Sequence, residues 1–171
     1  DYFEVETIGN KVQITATSNT SICYAAYTFL KDIGAVSISW EGNRIKLPKI
    51  WPKYSKKQST PFQYRKYLNA CTFGYTTPWW DWKRWEQEID WMAFHGINLP
   101  TAMEGQEAVW QQLWKEYGLT DSQLEAHFTG PAFLPWQRMG NINSLEGPLP
   151  QEWINKKQDI QKKILQRMRV L

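Results

Sequence analysis

The sequence is poor in the residues that metal sites, disulfide frameworks and membrane spans require. It has two cysteines in 171 residues, Cys23 and Cys71, whose number and spacing suit neither a disulfide framework nor a metal-ligand set. Its two histidines, His95 and His127, are too few and too far apart for a metal site and are read as structural. No metal and no cofactor is therefore expected. No apolar run approaches the roughly 18 residues that a spanning helix needs. No signal-peptide pattern is visible, and the chain begins at Asp1 rather than Met, as expected of a processed or cut-down chain. A strong excess of one charge is missing too: 20 basic residues face 17 acidic ones, for a net charge of +3. The one basic cluster, Lys156, Lys157, Lys162, Lys163, Arg167 and Arg169, falls on a C-terminal helical stretch and reads as a solvated face. With neither a Gly-rich RNA-binding signature nor a helix-turn-helix pattern beside it, nucleic acid is not an expected partner.

Aromatic residues are abundant. Eleven tryptophans, eight tyrosines and seven phenylalanines make up 15% of the chain, and nine of the tryptophans lie between Trp79 and Trp153. Such side chains bury large areas, so a big core is the plain reading, and stacking on sugar rings is the functional one. The apolar content of 42% suffices for a packed core and speaks against disorder.

The first fifty residues read as a small α/β domain. Residues 2–6 and 12–15 alternate apolar with polar around a Gly9-Asn10 turn, the pattern of two half-buried strands. Ser18, Asn19 and Thr20 offer helix N-caps. Ile22, Ala25, Ala26, Phe29, Leu30 and Ile33 then share one helical face, closed by Gly34. Residues 36–40 and 44–47 read as two more strands, giving a β-β-α-β-β domain over 1–50, with a helix on one face of a sheet. A basic, Pro-bearing stretch over 51–61 reads as a linker with room for one edge strand. Beyond it, over 62–171, strand and helix alternate as in a parallel α/β architecture. A strand is expected over 65–72, then a helix capped by Asp81, carrying Trp82, Trp85, Ile89 and Met92 on one face and stopped by Gly96. A second strand over 97–103 leads into a helix begun at Gly105 and ended at Gly118, with Val109, Trp110, Leu113 and Trp114 as its apolar residues. A short helix over 121–128, a Gly- and Pro-rich stretch, and an amphipathic helix striped by Trp153, Ile160, Ile164, Met168 and Leu171 complete the chain. No repeat of solenoid length is present.

Several blocks of the second region resemble one family. Tyr67-Leu68-Asn69-Ala70-Cys71-Thr72, Trp79-Trp80-Asp81-Trp82, Glu88-Ile89-Asp90-Trp91-Met92-Ala93, Gly96-Ile97-Asn98-Leu99, Gly105-Gln106-Glu107-Ala108, the run from Phe128 to Leu134, and Arg138-Met139-Gly140-Asn141 are similar, in order and spacing, to the α-N-acetylglucosaminidases of glycoside hydrolase family 89. The resemblance implies that 62–171 is the beginning of a (β/α)8 TIM barrel, about two βα units of it. It also implies a parent enzyme that removes terminal α-linked N-acetylglucosamine, with retention, from glycans such as heparan sulfate. Retaining glycosidases use two carboxylates about 5–5.5 Å apart. In this family both are glutamates on later barrel strands, so no catalytic residue is expected in this chain, and the isolated chain should be inactive. A secreted, periplasmic or lysosomal setting is implied likewise. Two barrel strands cannot close a barrel, so self-association of the fragment is a further expectation.

Barrel active sites are built at the C-terminal ends of the strands. Asn69 and Cys71 at the first exit and Glu107 after the second are accordingly the candidate substrate-binding residues. Asn69 can both donate and accept through its amide, or it can simply form a turn; Cys71 is pocket wall or a small buried thiol. Glu107 sits in the first turn of a helix, where a carboxylate gains from the helix dipole, as a cap or as a sugar contact. Met103 stands where some family members have Trp, which weakens a stacking platform there, and Glu104 also departs from the family pattern and is assigned no role. Trp82 and Trp85 suit a core, whereas Trp79 and Trp80, in a loop, suit core or platform equally. Glu86 and Asp90 lie one helical turn apart and are expected to face solvent, not to act as a catalytic pair. Two other readings compete: a non-catalytic carbohydrate-binding module, disfavoured by strand-helix alternation, and an interaction protein presenting the basic C-terminal helix.

Overall fold

The computed structural model describes residues 1–69 and 71–171. The chain divides into two compact units, one of residues 1–67, 87–100 and 168–171, the other of 68–86 and 101–167.

In the first unit, β1 (Tyr2–Ile8) and β2 (Lys11–Ala16) pair antiparallel from Phe3↔Ala16 to Ile8↔Lys11. The alternation of β1 turns Phe3 and Val5 onto α1 (Asn19–Asp32), where they bury against Ala25 and Phe29. Ser18 caps α1 by accepting from the Ser21 N–H. Gly34, at φ +70°, ends it, and the Ala35 N–H returns 2.8 Å to the Leu30 carbonyl. The buried face of α1 is rotated from the expected one. Ile22 is 44% exposed while Ser21 and Thr28 are buried, because the helix packs on two clusters, the second built on Tyr27, Ala35 and Val36.

The sheet also differs from the expected four strands. Among the described residues β3 (Val36–Ser39) and β4 (Gly42–Ile45) pair only with each other, and β4 is exposed throughout. The third strand of the β1 sheet is β5 (Ser55–Ser59), inside the stretch read as a linker, in the order β2-β1-β5. Its residues, Ser-Lys-Lys-Gln-Ser, carry no apolar alternation. What recruits it is the open row of backbone donors and acceptors on β1. Side chains pin it there: Asp32 accepts from Lys56 Nζ at 2.8 Å and from the Tyr54 hydroxyl at 2.7 Å. These bonds, Lys56 first, hold the Asp32 carboxyl below its ordinary value. A depressed carboxyl contributes stability above the unfolded-state value and loses it as pH falls through the folded-state value. Asp32→Asn should therefore flatten the acid limb of a melting-temperature profile. The pair is over one-third exposed, so the effect should stay below about 1 kcal/mol; an unchanged acid limb would mean the contact has no energetic weight.

Two short strands follow, β6 (Lys66–Tyr67) and β7 (Leu99–Pro100), paired in parallel with Lys66 opposite Leu99. A parallel pair needs a crossover, supplied here by α3 (Trp82–Phe94). Asp81 caps α3, its carboxylate accepting from the Arg84 N–H at 2.8 Å, and Gly96, at φ +73°, closes it. Trp85, Ile89 and Met92 are buried as the periodicity requires. The strands are shorter than the expected 65–72 and 97–103. Each has one ladder partner among the described residues, and Leu68 leaves β6 with φ +68°.

The second unit has its core in Ala108, Leu124, Phe128, Leu134, Leu149 and Ile154, with Trp110, Trp114 and Trp153 packed on it. Apart from Phe128 and Leu149, which lie just outside helix ends, these come from α4 (Gln106–Glu116), α5 (Asp121–His127), α6 (Leu134–Arg138) and α7 (Gln151–Val170). On α4 the large rings take the interior: Trp110 and Trp114 stack at 5.5 Å, and Val109 is left 60% exposed. A Cβ on Gly130 would collide with the Glu146 carbonyl oxygen, so only glycine lets the two arms of the Gly- and Pro-rich stretch meet.

Candidate active site

Among the described residues, two loops follow the parallel strands within the second unit. The Thr101 hydroxyl donates to the Leu68 carbonyl at 3.1 Å, which ties their starting points together. The first loop carries Asn69, exposed, and Cys71, a half-buried free thiol. It continues through α2 (Thr72–Tyr75) and a 3-10 turn (Thr77–Trp79). Trp79 presents an open face, 65% exposed, whereas Trp80 packs edge-on against Trp85 at 5.0 Å and lies under the Arg84 guanidinium at 4.0 Å. Of the two loop tryptophans, Trp79 is thus the one free to stack on a ligand.

The second loop runs from Thr101 to Gly105 and carries Glu104 inward before α4 begins. Glu107, in the first turn of α4, is fully buried, and Arg138 grips both its oxygens, Nε to Oε1 at 2.7 Å and a terminal nitrogen to Oε2 at 2.8 Å. This two-pronged, charge-assisted geometry is the strongest form of the contact. Glu107 thus meets no solvent; it is held by Arg138, and its charge is also felt by Glu104 and Lys157.

Beside this pair lies a second one that sequence reasoning missed. Glu104 is buried and sits 3.3 Å from Lys157 Nζ. Lys157 is only 4% exposed, not part of a solvated basic face. Burial pushes the Glu104 carboxyl up, with Lys157 and then Arg138 pulling the other way. Burial likewise pushes the Lys157 ammonium down, opposed chiefly by Glu104. Two carboxylates and two cations balance, which is what makes four buried charges tolerable. The signal for Lys157 was present in the sequence. It falls four residues after Trp153, three before Ile160 and seven before Ile164, squarely on the apolar stripe of α7. A lysine on such a stripe needs a buried partner.

The described residues hold no group of three or more His, Cys, Asp or Glu able to bind a metal, and no helix is long and apolar enough to cross a membrane.

A parallel strand pair with a crossover helix, preceded by a small helix-backed sheet, makes this an α/β chain, and the comparisons with known proteins give its family. Residues 1–53 match the N-terminal domain, and residues 65–171 the TIM-barrel domain, of the alpha-N-acetylglucosaminidases. The chain belongs to the alpha-N-acetylglucosaminidase family. It is 42% identical over 165 residues to human alpha-N-acetylglucosaminidase, a match covering 94% of this chain and 22% of that protein. A family 89 glycoside hydrolase from Clostridium perfringens, solved in complex with PUGNAc, superposes with a TM-score of 0.91 at 32% identity, over 98% of this chain and 20% of that one. A doubly substituted form of the Clostridium enzyme, in complex with its substrate GlcNAc-alpha-1,4-galactose, matches with the same TM-score and identity over 98% and 19%. The chain thus spans about a fifth of the length of these relatives.

Proposed function

We propose that this chain is the front part of a retaining exo-glycosidase that removes terminal α-linked N-acetylglucosamine from glycans such as heparan sulfate, in a secreted, periplasmic or lysosomal setting. The observation that supports this reading is the match of residues 1–53 and 65–171, in order, to the two domains of the alpha-N-acetylglucosaminidases. In this reading β6 and β7 are the first two strands of a (β/α)8 barrel, residues 1–50, with β5 added to their sheet, are the domain that precedes it, and the rest of 51–61 joins the two. The chain supplies pocket wall rather than catalyst: the catalytic glutamates lie on later strands. Asn69 contacts the terminal sugar, Cys71 lines the wall beside it, and Glu107 acts through Arg138 by holding the start of α4. The full-length protein should release N-acetylglucosamine from an aryl α-N-acetylglucosaminide, with the α-anomer as first product by NMR; release of the β-anomer first would exclude retention.

Asn69 offers the sharper test. Its amide carries donors and an acceptor that match sugar hydroxyls. A contact that tightens as the ring flattens stabilises the transition state more than the ground state. Losing one neutral hydrogen bond costs about 0.5–1.5 kcal/mol, more if a partner is stranded. Asn69→Ala in the full-length protein should lower kcat/KM about tenfold with little change in Tm. A variant that melts early yet turns over normally would make Asn69 a turn former instead.

A further inference from the structure

We propose that Lys157 is a positioning residue that joins the two strand-exit loops through one buried ammonium, so that the loop bearing Asn69, Cys71 and Trp79 is held in place relative to the loop bearing Glu104. The proposal rests on the reading of these loops as pocket wall.

The geometry is specific. An ammonium has three N–H donors and no acceptor. Lys157 Nζ faces three acceptors drawn from both loops: the Thr77 carbonyl at 3.1 Å, the Trp80 carbonyl at 3.2 Å and Glu104 Oε2 at 3.3 Å. The two carbonyls flank the 3-10 turn of the first loop, and the Thr77 carbonyl also closes that turn by accepting from the Trp80 N–H at 3.1 Å. The second loop is seated on the same stretch of α7. A Cβ on Gly105 would stand 3.0 Å from Gln158 Cα and 3.1 Å from the Lys157 carbonyl oxygen, so the loop lies on the helix backbone with no room between. Gly105 also takes φ +70°, which a bare α-carbon accommodates most readily. One turn of α7 therefore meets both loops, through its backbone on one side and the Lys157 side chain on the other. A buried lysine whose only task was charge balance would need Glu104 alone. Reaching two main-chain carbonyls as well gives the first loop a fixed anchor just past Trp79. A small displacement of a sugar-contacting group can cost about a hundredfold in rate, so such an anchor matters beyond stability.

The test compares wild-type full-length protein with Lys157→Met and with the double variant Glu104→Gln/Lys157→Met. Lys157→Met alone strands a buried carboxylate and should melt early. The double variant removes that stranded charge and should recover most of the Tm, yet the Thr77 and Trp80 carbonyls stay without the ammonium. Its amide hydrogen exchange over residues 74–80 should remain about tenfold faster than wild type while α5 stays unchanged. Its kcat/KM on an aryl α-N-acetylglucosaminide should remain at least about tenfold down, mostly in kcat. If the double variant regains wild-type exchange, kcat/KM and Tm together, Lys157 merely balances Glu104 and the proposal is overturned. Faster exchange with wild-type kcat/KM also overturns it, since a loosened loop would then position nothing. If the wild-type protein hydrolyses no α-N-acetylglucosaminide, the functional reading fails on its own, and exchange over 74–80 still decides whether Lys157 joins the loops.

Discussion

Glu107→Ala should remove about 3–5 kcal/mol of folding stability, the range for breaking a buried, hydrogen-bonded ion pair from one side. The substitution deletes both acceptors of the Arg138 guanidinium, whose side chain is as enclosed as that of its partner. A guanidinium does not escape by losing its proton, so it must stay charged and stranded or drag the end of α6 toward water. Glu104, whose carboxyl interacts with Arg138 as well as with Lys157, offsets only part of that loss because it already faces the ammonium. Replacing both members, Glu107→Leu with Arg138→Met, should recover a large share of the stability, since apolar replacements of buried pairs are often neutral or better. Denaturant unfolding of the two variants beside the wild type decides this. A single-variant loss under about 1 kcal/mol would mean that the pair is solvated and that Glu107 is free to serve another purpose.

The second large effect concerns activity. The purified 171-residue chain, checked for folding by circular dichroism, should hydrolyse an aryl α-N-acetylglucosaminide at least about 10⁴-fold more slowly than the full-length protein, as loss of an acid/base pair implies. The geometry supports this independently of the family. A retaining mechanism needs one carboxylate free to attack and another free to hand over a proton, about 5–5.5 Å apart. Glu104 and Glu107, which follow the second strand, are both buried, and each faces a cation of its own, Lys157 and Arg138. A nucleophile held this way would have to leave its ion pair before reaching a sugar. Turnover by the isolated chain that vanishes on Glu104→Gln or Glu107→Gln would show that these carboxylates do the chemistry and would sink the reading of the chain as pocket wall.

Local rules account for much of the architecture. The hairpin of β1 and β2, the Ser18 cap on α1, the Asp81 cap and Gly96 stop on α3, and the burial of Trp85, Ile89 and Met92 follow from alternation, helical spacing and capping chemistry. Each of these signals lies within a few residues of the structure it specifies. Asn69 and Cys71 follow a strand, β6, which ends two residues before Asn69. What the loop does with their side chains toward a sugar is a matter for Asn69→Ala, not for spacing.

From the sequence by itself came the α/β class, the helices and most of their ends, and the family, because periodicity, caps and contiguous motifs are written along the chain. Only the tertiary structure decided the rest, and each case has a long-range cause. β5 is a strand because β1 has an open edge 49 or more residues earlier, not because Ser-Lys-Lys-Gln-Ser looks like one. Trp110 and Trp114, not Val109 and Leu113, take the inner face of α4, since the core they meet is assembled from α5, α7 and the chain between them. Lys157 and Glu104 are buried because each finds the other, 53 residues away, and a charge can leave water only where an opposite charge and hydrogen-bond acceptors are already waiting.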